Sequence, residues 1–245
     1  MFSFFRFFQQ KPQNKLELTD AEQASVNQYL AQNKHFEPKS IAEQTFVVFD
    51  TETTGLDIKK DQLVSIGAIK VKNRQMLIAE SFETYVKSQA IEALPVNEHT
   101  DKDIPIHEIL KAERLQEGRP IKEVLIAFLN YIGDAVLVAH HAAFDLGLLN
   151  HLYKTHFGID LQNKWVDTAH LAIRLEKSKA GQNSHVQPHY YELDYWIRYF
   201  NIEAQDRHTA AGDSFITGEL LLNLLHLAHK RGLTHTKDLI HKRFF

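Results

Sequence analysis

Asp50 and Glu52 end a short apolar run, TFVVFD, in the spacing D-x-E. Side chains alternate along an extended chain, so the two carboxylates leave from one side. Held together without a cation they repel, and oxygen ligands of this kind suit Mg²⁺ or Mn²⁺. Gly55, in the TTGL that follows, permits a tight turn and close backbone approach to a ligand. The ordinary reading of D-x-E alone is a solvated strand end.

Two further acids stand beside apolar patterns. Asp145 follows the run AVLVAH, in HAAFD, at the start of a helix, where taken alone it would complement the helix dipole. The last long helix, about Ala210 to Lys230, carries Ile216, Leu220, Leu224 and Leu227 on its core face. Counting back by three from Ile216 places Asp213 on the inward side. A lone buried carboxylate is expensive, so Asp213 calls for a partner or a metal. His208 precedes that helix, off its rigid face and able to swing toward the acids. Phosphodiester hydrolysis needs a water deprotonated near neutral pH and a stabilised leaving oxyanion. Two cations about 3.5–4 Å apart, held by carboxylates, supply both. A histidine, ordinarily titrating near about 6.5, suits the general base. Asp167, in WVDT, is read instead as the cap of the helix that follows it.

The elements that must position these residues follow from periodicity. TFVVFD is short and wholly apolar, as in the centre of a buried sheet. LVSIGAIKVK and MLIAESFETYVK alternate around a polar Asn73-Arg74 turn and predict a hairpin. Val124, Leu125, Phe128 and Leu129 have helical spacing within Pro120–Tyr131. DLGLLNHLYKTHF reads as a helix, KWVDTAHLAIRL as a strand running into one, residues 176–190 as a polar loop, and LDYWIRYF as a further helix. Before Thr45, the Thr19–Glu22 capping-box spacing predicts a short helix to about Gln32. A hairpin followed by β-α alternation points to an α/β mixed sheet flanked by helices.

Together FDTETTGL, HHAAFD and RHTAAGD resemble, in order and interval, the three exonuclease motifs of the DnaQ-like (DEDDh) family, which includes the proofreading subunit of bacterial DNA polymerase III. The resemblance covers about residues 45–228. It implies a ribonuclease-H-like fold with a mixed five-stranded sheet and a 3′–5′ exonuclease. Asp50, Glu52, Asp145 and Asp213 would bind two divalent cations, Mg²⁺ or Mn²⁺, and His208 would be the general base. Thr53 and Leu56 would lie against the 3′-terminal nucleotide, and Phe144 would flank the terminal bases. Two positions depart from the pattern. Asn97-Glu-His-Thr100 stands where relatives often have H-G-I-T, and His141 stands where asparagine is frequent. The implied substrate is a single-stranded or frayed 3′ end of DNA. The competing readings are an exoribonuclease of the RNase T or oligoribonuclease type and a catalytically silent nucleic-acid or polymerase-binding module.

Composition narrows the partners. A net charge of −3 over 245 residues lacks the basicity of a protein that coats long nucleic acids. It permits an enzyme that grips one end, because bound cations add local positive charge. No stretch approaches the roughly 18 apolar residues needed to span a bilayer, and MFSFFRFFQQ lacks a signal-peptide cleavage pattern. With no cysteine, the chain holds neither disulfides nor thiolate metal sites, as expected of a cytoplasmic protein. The expected organisation is a partly helical extension over 1–44, an exonuclease domain over 45–230 and a tail over 231–245. The Phe-rich extension is where a replication or repair protein would dock.

Overall fold

The computed structural model describes residues 17–87, 118–180 (backbone alone beyond Glu176) and 188–240. The Phe-rich start, Asn97–Thr100 and most of the polar loop before Pro188 lie outside them.

The apolar runs form the sheet. Strands β1 (Phe46–Thr53), β2 (Leu63–Lys72), β3 (Gln75–Tyr85), β4 (Val136–Ala139) and β5 (Trp165–Asp167) lie in the order β3-β2-β1-β4-β5. β1 pairs antiparallel with β2 and parallel with β4, β2 pairs antiparallel with β3, and β4 pairs parallel with β5. Phe46, Val47, Val48 and Phe49 are all buried because β1 is central and covered on both faces. Asn73 and Arg74 close the β2–β3 hairpin with φ of 51° and 58°. Positive φ at both central residues matches the twist of the strands it joins.

Helices cover both faces. One core joins α1 (Asp20–Gln32), α2 (Ile121–Ile132) and α3 (Ala142–Phe157) to the sheet, and a second joins α4 (Thr168–Ala180), α5 (Leu193–Phe200) and α6 (Ala210–Lys230). This is the mixed sheet flanked by helices that the sequence pattern predicts, with the five strands that the family resemblance implies. The Thr19 capping box forms, with the Thr19 N–H donating to Glu22 Oε2 at 2.7 Å. From α1, buried Tyr29 donates its hydroxyl to Asn163 Oδ1 at 2.7 Å, which ties this helix to the turn before β5.

Three details differ from the expected elements. α3 begins at Ala142, so Asp145 lies within its first turn. α4 continues through Ala180 into the stretch expected to be loop, and a 3₁₀ turn spans Pro188–Tyr191. The core face of α6 runs along Ile216, Leu220, Leu221, Leu224, Leu225 and Ala228, with Leu227 at its margin.

One glycine sets the distance from α6 to the sheet. Gly67 on β2 pairs with Asp50 on β1, and a Cβ at Gly67 would collide with the Ala210 backbone. The first turn of α6 therefore rests directly on the sheet beside Asp50. Among the described residues, no helix is long and apolar enough to cross a membrane.

Candidate active site

The carboxyl end of β1 delivers Asp50 and Glu52, the first turn of α3 delivers Asp145, and the first turn of α6 delivers Asp213. The register of β1 against β2 shifts between Glu52 and Thr53, so the ladder loosens just past the acids. Burial pushes the Asp50 carboxyl well above the usual carboxylate range. Repulsion from Asp145, Asp213 and Glu52 adds to that rise, and the Arg207 charge partly opposes it. Asp145, only 6% exposed, is pushed up to about 7, with burial the largest cause. The Thr51 N–H and hydroxyl donate to Asp145 Oδ1 at 3.1 and 2.5 Å and work against that rise. The structure thus gathers the other three acids around Asp50.

His208 comes less close. It stands exposed with φ 63°, on a loop where Asp206 also has positive φ, and hydrogen-bonds to none of the four acids among the described residues. Thr209 caps α6, accepting from the Gly212 N–H at 3.0 Å and donating to the Asp206 carbonyl at 2.7 Å. A Cβ at Gly212 would strike that same carbonyl, so the loop folds tightly onto the helix end.

Arg207 was not singled out by the sequence pattern, although it directly precedes His208 in RHTAAGD. Its Nη1 donates to Asp213 Oδ1, while Nη2 and Nε donate to Asp194 Oδ1 on α5 at 2.7 and 3.2 Å. Thr53 donates its hydroxyl to the Gly55 carbonyl at 2.6 Å, holding the turn that presents Leu56, which is 84% exposed. Phe144 is half-buried at the start of α3.

Next to the acids, the end of β4 and the start of α4 carry further polar contacts. His140 Nε2 lies 2.7 Å from the Tyr191 carbonyl, an acceptor only, so Nε2 carries the proton and Nδ1 accepts from Thr168 Oγ1 at 2.8 Å. Burial lowers the His140 pKa to about 4, which keeps the ring neutral. The adjoining His141 ring stacks on Tyr191 with centroids 6.0 Å apart. Asp167 caps α4, accepting from the Ala169 N–H at 2.9 Å, and also takes the Ala142 N–H at 3.1 Å.

Among the described residues, no three histidine, aspartate or glutamate side chains form a ready coordination shell. The donor set nevertheless fits hard divalent cations. It is all oxygen, burial raises two of its carboxyls, repulsion from the other three acids adds to the rise at Asp50, and the Arg207 guanidinium partly offsets that rise.

Residues 47–221 match the family model described as Exonuclease, of the RNase T type. A DNA polymerase III of PolC type from Thermotoga maritima is 31% identical over 200 residues, which is 82% of this chain and 13% of that protein. The chain therefore spans about one eighth of the length of that curated relative. Among solved structures, the nuclease domain of 3′hExo, a DEDDh family member bound to rAMP, superposes with a TM-score of 0.58 at 13% identity. That match covers 84% of this chain and 100% of the other. A zinc-bound E. coli ExoI–ssDNA complex gives 0.57 at 16% identity, over 78% of this chain and 42% of that one. At such identities these likenesses describe the fold.

Proposed function

Because this chain belongs to the DnaQ-like exonuclease family, we propose that it is a two-metal-ion 3′–5′ exonuclease acting on single-stranded or frayed DNA. The observation that carries this reading is the burial of Asp50 with Glu52, Asp145 and Asp213 converging on it, which together raise its carboxyl well above the ordinary range. Such a cluster is unfavourable unless protonated or bound to cations. In this reading Asp50, Glu52, Asp145 and Asp213 hold two divalent cations, Mg²⁺ or Mn²⁺. When bound, these lower the pKa of the attacking water and stabilise the leaving oxyanion.

The chain's own groups divide the remaining work. His208, on an exposed loop beside the cluster, takes the proton from the water. Leu56 offers an apolar surface to the terminal nucleotide, Thr53 shapes the turn that carries it, and Phe144 flanks the bases. Similarity to PolC-type polymerases and to an ExoI–ssDNA complex supports DNA as the substrate. It also supports association with a replication or repair assembly, for which residues 1–44 are the docking segment. The rAMP-bound neighbour supports an exoribonuclease as the second reading. The boundaries that go with this proposal are 45–230 for the exonuclease domain and 231–245 for the tail.

The test uses matched 5′-labelled DNA and RNA, single-stranded and 3′-mismatched, with Mg²⁺, Mn²⁺ or EDTA. A metal-dependent ladder shortening from the 3′ end, absent in Asp50→Ala, is expected, with DNA the faster substrate. Faster cleavage of RNA selects the second reading. No shortening of any substrate in either metal overturns both and leaves a binding module.

A further inference from the structure

We propose that Arg207 is a cationic latch: it holds Asp213 in the metal-free protein and must give up that carboxylate before a divalent cation can use it. The inference rests on the cation site proposed above. Its basis is the asymmetry of the guanidinium contacts. Nε and Nη2 both donate to Asp194 Oδ1, at 3.2 and 2.7 Å, while Nη1 alone reaches Asp213 Oδ1. The Asp194 side chain is 54% exposed and lies outside the cluster, whereas that of Asp213 is 14% exposed and lies within it. One arm is anchored and the other probes the site.

That geometry has a chemical consequence. Nη1 occupies one of the two Asp213 oxygens open to a cation and sets a positive charge against it, so arginine and metal compete for one carboxylate. The two-bond anchor on Asp194 gives the guanidinium a place to remain once Nη1 lets go, so release requires no unfolding of the loop. The tight Asp206–Gly212 turn keeps the backbone of Arg207 fixed while its head changes partner. The same charge partly offsets the repulsion at Asp50. Arg207 is therefore a positioning residue that stabilises the resting site and weakens its hold on cations. A bidentate fork suits this task better than an ammonium, because it can span two carboxylates at once.

Calorimetric titration of the full chain with Mn²⁺, without nucleic acid, tests this in wild type, Arg207→Gln and Arg207→Lys, alongside thermal melts in EDTA. Removing a half-buried competing charge should tighten Mn²⁺ binding about 3- to 30-fold in Arg207→Gln while lowering the metal-free Tm. Arg207→Lys keeps the charge and loses the fork, so its affinity should fall between wild type and Arg207→Gln. It also serves if the glutamine variant does not fold. Mn²⁺ binding in Arg207→Gln alone is the strongest form of the latch. Wild-type affinity, or weaker, in a folded Arg207→Gln overturns the latch and leaves the cation site standing. Arg207→Lys equal to wild type reduces the effect to through-space charge and also overturns it. Binding in no variant overturns the cation site and the latch together.

Discussion

Asp145, in the first turn of α3 after β4, and Asp167, the last residue of the neighbouring parallel strand β5, are 6% and 4% exposed, yet their oxygens meet opposite surroundings. Asp167 takes the Ala142 N–H on one oxygen and the Ala169 N–H on the other, with His170 Nδ1 3.1 Å away. Its charge is spent joining the starts of α3 and α4. Asp145 has Thr51 on one oxygen and faces the Asp50 cluster, and burial carries its pKa up to about 7. Residue type and burial do not separate the two. What separates them is the supply of N–H donors, because a buried carboxylate without enough of them must take a proton or a cation.

The contrast is sharpest by substitution. Asp145→Asn should lower hydrolysis about a thousandfold or more, since it removes a proposed ligand, while metal-free stability is unchanged or higher. Asp167→Ala should do the reverse. Losing both helix-start contacts should cost about 2–4 kcal/mol in denaturant melts, with activity per folded molecule largely kept. An Asp167→Ala protein as inactive as Asp145→Asn but fully stable would erase the distinction.

Stability against pH tests the Asp145 side of the contrast next. Asp145 and Asp50 have folded pKa values above their unfolded ones, so the folded state binds their protons more tightly. Their stabilising contribution is complete below the ordinary carboxylate range and is lost as pH rises through the raised values, about 7 for Asp145. His140 has the opposite sign. Lowered to about 4, it loses stability as pH falls from about 6.5 through that value. In EDTA the Tm should therefore decline as pH rises through about 6.5 to 7, where the opposing His140 contribution is already complete, and saturating Mn²⁺ should flatten that decline. Asp145→Asn should shrink it. A wild-type slope in Asp145→Asn would show that this carboxylate does not carry the decline.

The smallest effect concerns one of the donors on Asp145, the Thr51 hydroxyl. Thr51→Val removes its hydroxyl contact and leaves the backbone N–H, so Mn²⁺ affinity should change only about two- to fivefold, the scale of one hydrogen bond. A larger loss would make Thr51 part of the cation site.

Much of this molecule was legible from local pattern. The apolar TFVVFD run, the Asn73-Arg74 turn, the Thr19 capping box and the full extent of α6 depend on residues close in sequence. The capping role read for Asp167 likewise depends on the amides two and three residues on. The end of α4 was not legible, because the polar sequence KSKA suits a solvated helix as well as a loop. Neither was the link between Tyr29 and Asn163, whose partners lie 134 positions apart.

The candidate site divides along the same line. Alternation along β1 and helical spacing in α6 are local periodicities, so they suffice to bring forward Asp50, Glu52 and Asp213 as inward carboxylates. How many of those charges meet, and what neutralises them, depends on distances between separate elements. Gly67 lets α6 settle beside Asp50, and the fold brings Asp194 of α5 within reach of Arg207. Electrostatic interaction follows separation in space, and no spacing along the chain encodes it. That is why an arginine one residue from a motif histidine gave no signal until the chain was folded.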